Sequence, residues 1–271
     1  MIITSAYIEA CLEELNAPKP GNVHIHAAGH RMTVADFTRS AEVSAPLLCR
    51  FGARLGERIR DATAATWQAV GQNTNLGILL LCGPLAMAAE HGETPAAVIA
   101  ASDLEDAQAV FEAIRLAQPG GLGSADRHDV HQPATVTLAA AMAEAADRDS
   151  IARQWTNGFA DILGPTLTSY AAARLRWPDP SWATLTAFLE FLATCPDSHI
   201  QRKHGPAIAT SVQHKANSVR DALAACTNPA TMLPELLAWD HVLKVKGINP
   251  GTSADLTVAT AFAWRLGLRF T

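Results

Sequence analysis

Apolar residues recur along most of this chain at the three- and four-residue spacing of amphipathic helices. Ile8, Cys11, Leu12 and Leu15 share one helical face, as residues three and four apart do. Convincing alternation of β-branched and polar residues is almost absent, and alanine is abundant throughout. The pattern therefore predicts an all-α protein, a compact bundle of about ten helices.

Nothing in the sequence divides its 271 residues into separate units. There is no Ser/Gly tract, charge block or low-complexity run that would serve as a linker. Hydrophobic residues make up 49% of the chain, which is enough for a substantial core. We therefore expect residues 1–271 to form a single all-helical catalytic domain.

Local signals predict several helix boundaries. Thr33 followed by Asp36 resembles a capping box, which would open a helix running toward Leu55. Ser102 and Glu105 repeat that spacing. Further helices are expected near 134–147, 150–176, 181–194, 207–226, 231–243 and 253–268.

Composition also excludes several classes of partner and location. The net charge of −5 argues against a nucleic-acid binder, which would normally be basic. The most apolar stretch, 76–89, is interrupted by Gly83-Pro84 and is too short to span a bilayer, so we expect a buried core helix. The five cysteines form no C-x-x-C pair, which indicates a reduced, cytoplasmic protein. A homodimer is an expectation drawn from the apolar helices alone.

Four polar segments interrupt the apolar helices, and each is rich in glycine, asparagine, histidine or charge. That composition is typical of functional loops. The segments are 19–24 (KPGNVH), 72–77 (QNTNLG), 119–131 (PGGLGSADRHDVH) and 244–255 (KVKGINPGTSAD). A fifth segment, 197–204 (DSHIQRKH), adds another carboxylate and cations, with a charged surface turn as its alternative reading.

The first two segments have the composition of an anion-binding site. Lys19 follows a helix end and precedes Gly-Asn, which could present a cation and backbone amides to phosphate. Asn73 and Asn75 directly precede the apolar helix, whose N-terminal amides attract anions without net positive charge. The alternatives are a plain helix stop at Lys19 and capping of the helix by Asn73 or Thr74.

The third and fourth segments supply carboxylates. Asp126 and Asp129 lie in a long Gly-rich loop and offer hard oxygen ligands for Mg²⁺, which commonly binds one or two carboxylates plus substrate phosphates. The loop lacks the third glycine of a dinucleotide-binding fingerprint and the Gly-Lys-Ser/Thr of a P-loop. Asp255 is predicted to be a metal ligand or a base. The alternatives are a solvated acidic loop and, for Asp255, a capping box with Thr252.

Together these segments resemble the triphosphoribosyl-dephospho-CoA synthase family. The matching strings are KPGNVH (19–24), GHRM followed by Phe37 and Ser40-Ala41 (29–41), QNTNLGILLL (72–81), PGGLGSADRHDV (119–130), DSHIQRKHG (197–205) and GINPGTSADLTVATAF (247–262). They follow the family's order and span nearly the whole chain. The K-P-G start, the N-T-x-x-G centre and the P-G-x-S/T-A-D-L end are specific in combination.

The resemblance implies an all-α transferase that uses Mg²⁺ and ATP. In the family's reaction the 2′-hydroxyl of 3′-dephospho-CoA attacks the ribose anomeric carbon of ATP, adenine leaves and the triphosphate is retained. The product is the precursor of the prosthetic group of the acyl carriers of citrate lyase and malonate decarboxylase. Such chemistry needs a carboxylate near the developing oxocarbenium ion, a base for the hydroxyl, and Mg²⁺ and cations for the triphosphate.

The resemblance also implies roles for individual residues. By this resemblance the metal ligands would be Asp126, Asp129, Asp197 and Asp255. The catalytic residues would be Asp129, Asp255 and His128, where the chemistry of imidazole suggests that His128 is the acid toward adenine. The residues implied to bind ATP are Lys19, Asn22, His24, Asn73, Asn75, Arg202, Lys246, Asn249 and Ser253. These roles require four distant stretches, 19–24, 73–77, 126–129 and 249–255, to converge on one hollow.

One departure from the family leaves the acceptor open. Members that act with citrate lyase usually read N-T-H-K-G where this chain reads Asn73-Thr74-Asn75-Leu76-Gly77. The 119–130 and 197–205 segments look like a divergent branch found in archaea and in bacteria of one-carbon metabolism. That branch could use another coenzyme precursor as acceptor, such as one leading to a methanopterin-type carrier.

Two other functional classes are alternatives. A metal-dependent phosphohydrolase or N-glycohydrolase acting on a nucleotide is one, because the His128-Asp129 pair is similar to that of the HD phosphohydrolases. A helical ligand-binding or scaffold protein without catalysis is the other. Release of free phosphate or ribose would favour the first, and ATP binding without turnover would favour the second.

Overall fold

The computed structural model describes residues 2–120, 123 and 127–269. Over these residues the chain forms fourteen α-helices and no strand, with two isolated bridges joining His24 to Ala27 and Gly29 to Met32. The helices are α1 (Ile2–Asn16), α2 (Val34–Leu48), α3 (Leu55–Val70), α4 (Leu76–His91), α5 (Pro95–Ala101), α6 (Leu104–Ala117), α7 (Leu138–Ala143), α8 (Ser150–Asn157), α9 (Leu167–Arg176), α10 (Pro180–Thr194), α11 (Ser198–His204), α12 (Pro206–Ala225), α13 (Leu233–Val245) and α14 (Gly251–Leu266). The all-α prediction is confirmed, with more helices than expected.

Helix α4 lies at the centre of the apolar core. Its residues from Leu76 to Ala86 are all buried, so this part of the helix has no solvent-facing side, as expected of a helix that is apolar all round. It packs against α14, α3 and α5. The buried core helix that the sequence predicted is confirmed, and Gly83-Pro84, which interrupts the apolar run of the sequence, does not interrupt the helix. Packing on every side evidently outweighs the cost of an internal proline, which is about 3 kcal/mol.

Capping side chains set many of the helix starts. Thr33 and Asp36 form the predicted capping box at the start of α2, with each side chain bonded to the other's backbone amide. At α6 the cap lies one residue later than the predicted Ser102, because Asp103 accepts from the amides of Glu105 and Asp106. The Asp106 carboxylate in turn accepts from the Asp103 amide, which completes the capping box.

Three predicted helices are shorter than the sequence pattern suggested. Helix α2 ends at Leu48 rather than running toward Leu55, and α7 occupies only part of the predicted 134–147. The predicted 150–176 helix is two helices, because Gly158 ends α8 in the left-handed conformation and a π-helical turn, Ile162–Thr166, precedes α9. Within the described chain, no helix is long and apolar enough to cross a membrane.

Candidate active site

A cavity of about 840 Å³ opens among the N-termini of α4 and α14, the end of α1 and the loops around α7 and α11. This volume lies within the range of about 300–1,000 Å³ that is typical of small-molecule sites. Eight of the residues that the sequence singled out line the cavity: Asn22, Asn73, Asn75, His128, Asp129, Arg202, Asn249 and Asp255. The structure thus brings together parts of all four stretches that were expected to converge.

Two long helices start at this cavity. The N-cap residues of α4 and α14, Asn75 and Pro250, make no side-chain capping hydrogen bond. Asn73 lies just outside α4 and accepts a hydrogen bond from the Leu76 amide at 3.1 Å, while Asn75 donates to Ser44 Oγ at 3.3 Å. Helix N-termini carry partial positive charge and orphan amides, which favour a phosphate.

Asp255 lies against the beginning of α4. A Cβ on Gly77 would overlap Asp255 Oδ2 and come within 2.6 Å of its Cγ, so only glycine leaves room for the carboxylate. Helix α14 begins at Gly251 without a side-chain cap, so Asp255 does not act as the capping residue that the sequence allowed. Burial raises the pKa of Asp255, and the nearby carboxylates of Glu14, Asp197 and Asp149 raise it further.

A buried amide pair joins the first and last polar segments. Asn22 Nδ2 donates to Asn249 Oδ1 at 2.9 Å, and both residues line the cavity. The Gly21 amide donates to Asp240 Oδ1 at 2.9 Å. Gly21 has φ +82°, and a Cβ there would meet Leu243 and Pro250 at 2.9 Å, which accounts for glycine in the K-P-G motif.

Lys19 and His24 lie behind the cavity wall rather than on it. Lys19 is fully buried and forms an ion pair with Glu14, with 3.0 Å between Nζ and Oε1. His24 is also fully buried, with Nε2 at 3.4 Å from Asp240 Oδ1. Burial lowers the pKa of both side chains. Neither residue contacts the cavity, although both were expected to bind ATP.

The DSHIQRKHG segment separates into structural and cavity-lining residues. Asp197 caps α11 by accepting from the amides of His199 and Ile200, and its other oxygen accepts from the amide and hydroxyl of Ser253 at 2.7 and 2.8 Å. Asp197 and Ser253 therefore join α11 to α14 beneath the cavity. Arg202 lines the cavity and donates to Asp149 Oδ2 at 2.6 Å.

His199 also lines the cavity, close to Gly251 at the start of α14. Burial, together with the positive charges of Lys203 and Arg202, lowers the pKa of His199 to about 3. Its Nε2 is buried and has no partner among the residues that the structure describes. The imidazole is therefore a neutral hydrogen-bonding group at neutral pH.

His128 and Asp129 reach the cavity from an anchored loop. The Val130 carbonyl accepts from Arg115 at 2.5 Å, and the Ala134 amide donates to Gln108 Oε1 at 2.9 Å, so the loop is bonded to α6. Asp129 Oδ1 accepts from the His131 amide at 2.8 Å. Asp126, a predicted metal ligand, lies outside the described residues, and Lys246 is exposed and lies away from the cavity lining.

Several cavity residues escaped the sequence analysis. Glu14, Asp149 and His199 line the cavity, as do the exposed Arg127 and Arg148. Asp149 resembles an ordinary helix cap in sequence, and it does cap α8 through one oxygen. Glu14 lies in an amphipathic helix five residues before Lys19, and only its buried pairing with that lysine distinguishes it.

The carboxylates of the cavity suit a metal that arrives with its substrate. Among residues 2–120, 123 and 127–269, no three His, Cys, Asp or Glu side chains are arranged as a metal-binding group. Asp129 and Asp255 line the cavity from different elements. Mg²⁺ usually binds one or two carboxylates, substrate phosphates and water, and this donor set fits that mode.

Fold and cavity together define a class, an all-helical protein in which helix N-termini, amides and carboxylates surround one substrate-sized hollow. Residues 2–270 match the model of the CitG family, ATP:dephospho-CoA triphosphoribosyl transferase. The chain therefore belongs to this family and is a transferase. Membership of this family, which the sequence motifs predicted, is confirmed.

A solved structure shows the same fold. It comes from an Archaeoglobus fulgidus protein that was proposed to be a triphosphoribosyl-dephospho-CoA synthase. The two share 23% identity with a TM-score of 0.62, over 86% of this chain and 99% of that one. Among curated proteins, no sequence matches the chain.

Proposed function

We propose that this protein transfers the triphosphoribosyl group of ATP to a hydroxyl of 3′-dephospho-CoA or a related coenzyme precursor and releases adenine. One observation carries the proposal: Asn22, the Asn73–Gly77 stretch, Asp129 and the Asn249–Asp255 stretch line a single cavity, although they come from four distant parts of the chain. The family membership supplies the type of reaction.

The triphosphate is assigned to the ends of α4 and α14. The N-cap residues of both helices make no side-chain capping hydrogen bond, so backbone amides remain at both N-termini, apart from the Leu76 amide, which Asn73 accepts from. Asn73, Asn75 and Asn249 add amide groups on the cavity lining. Arg202 supplies a cation, and Arg127 and Arg148 are two more along the lining. This replaces Lys19 and Lys246 as the expected phosphate cations.

Mg²⁺ is assigned to the same end, held by Asp255 and Asp129 together with the substrate's phosphates. When bound, it supplies charge neutralisation for the triphosphate. Asp197 is not included, because its two oxygens already accept four hydrogen bonds from the amides of His199, Ile200 and Ser253 and the Ser253 hydroxyl.

In the proposed step the acceptor's hydroxyl oxygen bonds to C1′ of the ATP ribose as the bond from C1′ to adenine N9 breaks. Adenine leaves with the electron pair of that bond and takes up a proton, for which His128 remains the assigned donor. The hydroxyl proton passes to a carboxylate of the cavity. The anionic oxygens around the ribose would stabilise positive charge on C1′ in the transition state.

The acceptor end of the cavity favours a partner with apolar or ring character. The His and Lys of the N-T-H-K-G motif are replaced here by Asn75 and Leu76, which are both buried. The apolar residues on the lining include Phe111, Ile114, Leu138 and Met142. A precursor with fewer phosphates than dephospho-CoA, such as one of methanopterin type, is therefore the second acceptor to test.

Incubation with Mg-ATP and each acceptor, followed by chromatography of adenine, tests the proposed function. Adenine should appear only with the correct acceptor and in equal amount to the product. Asp255→Asn should reduce the rate by about 10²-fold or more, whereas Asp221→Asn, an exposed change on α12, should not. ADP or phosphate without adenine would indicate a phosphohydrolase, and adenine without an acceptor would indicate an N-glycohydrolase.

We further propose that the chain acts as one catalytic domain, because all fourteen helices described contribute to one hydrophobic cluster. A cytoplasmic location accords with the five cysteines, which are all free thiols. A homodimer stays a prediction, which the mass of the protein in solution would decide.

A further inference from the structure

Lys19 has no hydrogen-bond donor left for a substrate. Its ammonium group donates to the backbone oxygens of Glu14 at 2.6 Å and Val23 at 3.0 Å, and its third contact is Glu14 Oε1 at 3.0 Å. A lysine ammonium has three donors, and all three have partners. Since the side chain is also fully buried, Lys19 acts on its neighbours within the protein.

Glu14, the ion-pair partner of Lys19, does reach the cavity. Glu14 is almost completely buried, yet it is part of the cavity lining. Its Oε1 contacts Lys19, and Oε2 takes part in none of the hydrogen bonds or ion pairs within the described part of the chain. Lys19 therefore holds one carboxylate oxygen of a residue that lines the cavity and leaves the other oxygen unpaired among these residues.

The preceding residue shows what a purely structural glutamate looks like in the same helix. Glu13 accepts from Tyr170, Thr184 and two arginines, Arg174 and Arg265. These partners lie on α9, α10 and α14 and occupy both oxygens. Glu13 thus joins four helices and does not line the cavity, whereas Glu14 has a single charged partner.

The charges around Glu14 differ from those around the other acids of the cavity. Burial raises the pKa of Glu14, and the positive charge of Lys19 opposes that rise. The negative charge of Glu14 also raises the pKa of Asp255 and of Cys11. Asp255 makes no ion pair within the described residues, so Glu14 is the acid of this pair that has a fixed counter-ion.

We propose that Glu14 is a catalytic residue and that Lys19 is its positioning residue. The free Oε2 of Glu14 accepts the proton of the acceptor's hydroxyl while the new bond from that oxygen to C1′ forms and the C1′–N9 bond breaks toward adenine. This inference rests on the proposed function, to which it adds the base. It also explains why the motif needs a lysine that no ligand can contact.

Glu14→Gln is the first test, because glutamine retains the size of the side chain and can still accept a hydrogen bond from Lys19. We expect kcat for adenine release to fall by about 10²–10⁴-fold, the usual contribution of general-base catalysis. The KM for ATP should change by less than about threefold, since the base acts only in the transition state. Glu13→Gln is the matched control, and it should lower the melting temperature while keeping kcat within about threefold.

Chemical rescue separates a catalytic role from a structural one. In Glu14→Ala the cavity gains space for a small carboxylate, so added formate should restore adenine release in proportion to its concentration. Lys19→Met should lower kcat, and formate should not restore it, because the side chain of Glu14 is then present but misplaced. Circular dichroism of each variant establishes that the helices are retained.

Three outcomes would overturn the inference. They are full kcat in folded Glu14→Gln, a change confined to the KM for ATP, or no effect of formate on folded Glu14→Ala. Failure of the proposed function is a different result, because the wild-type protein would then release no adenine with any acceptor.

Discussion

Gly77 controls how closely α4 and α14 approach at the cavity. The absent side chain leaves the space that the Asp255 carboxylate occupies. Gly77 is the second residue of α4, where backbone amides are still free of helical partners. The glycine of the N-T-x-x-G motif and the aspartate of the A-D-L motif thus form one steric unit, although they are far apart in the chain.

Gly77→Ala should therefore inactivate the enzyme. The new methyl group would displace Asp255, and a shift of about 1 Å in a catalytic group can cost about 10²-fold in rate. Overpacking of this kind also costs about 1–3 kcal/mol of stability. Adenine release and urea denaturation would measure the two effects.

A second substitution distinguishes displacement of Asp255 from general damage to α4. Adding Asp255→Ala to Gly77→Ala should recover most of the lost stability without recovering activity. The clash with the carboxylate is then removed, and only the end of the Ile151 side chain, 2.8 Å from the new methyl group, must shift. Gly83→Ala, in the same helix but facing Ile59 and Leu55, should retain activity. Unchanged activity in Gly77→Ala would contradict the assignment of Asp255.

The sequence could not distinguish the roles of two residues of the same type. Asp197 and Asp255 both lie in family motifs, but Asp197 accepts four hydrogen bonds while Asp255 faces the cavity. Lys19 and Lys246 both follow a helix, yet one is fully buried and the other is exposed. These differences depend on what packs against each side chain, which composition and spacing do not encode.

At the scale of helices, α4 is held in place by a buried ion pair at its far end. Arg58 on α3 is completely buried, and its Nη2 lies 2.7 Å from Glu90 Oε2 on α4. Its Nε also donates to the Ala53 carbonyl at 2.9 Å, and the Gly52 amide donates to Glu90 Oε1 at 2.9 Å. The pair orients α3 and α4, and with them the cavity end of α4.

Glu90→Gln should destabilise the fold by about 3–5 kcal/mol, because it leaves the buried Arg58 charge without its partner. Urea denaturation measures this loss. Glu112→Gln is the matched control, since that half-exposed carboxylate lies 3.9 Å from Arg60 and exposed pairs contribute about 0–1 kcal/mol. A loss in Glu90→Gln no larger than that of the control would contradict the role of the pair.

The same ion pair should make stability depend on pH. Burial alone would raise the pKa of Glu90, but hydrogen bonds from the Gly52 amide and Arg58 outweigh it and lower that pKa. A glutamate with a lowered folded-state pKa stabilises the fold at pH values above its usual pKa, which is about 4.3. This contribution is lost as the pH falls through the folded-state pKa. The stability gap between wild type and Glu90→Gln should therefore narrow below about pH 4.

Helix existence was more predictable than helix ends. The Thr33–Asp36 box was recognisable because both partners lie within four residues. The break in 150–176 was not, since a helical apolar pattern continues through Phe159 and Ile162 while Gly158 adopts φ +66°. Boundaries of this second kind are decided by tertiary packing on both sides of the turn.

At the scale of the whole molecule, the cavity is built from contacts that are remote in sequence. Asn22 bonds Asn249, 227 residues away, and Gly21 bonds Asp240, 219 residues away. The order of the family motifs indicated which segments matter, but only the fold shows that Glu14 and Asp149 join them. Their sequence neighbourhoods are those of an ordinary helix and an ordinary cap.

Because these remote segments line one cavity, nucleotide binding there should stabilise the entire chain. At about 100 times its dissociation constant a ligand adds about 2.7 kcal/mol, which for a protein of this size raises the melting temperature by about 5 °C. Mg-ATP should produce this shift, and ATP with a chelator should produce less, because carboxylates then face an unneutralised triphosphate.

Arg202→Gln should reduce the shift, whereas Arg220→Gln, an ion-pair residue on α12, should retain it. Equal shifts from AMP and Mg-ATP would place the binding energy on adenosine and contradict the assignment of the two helix N-termini to the triphosphate.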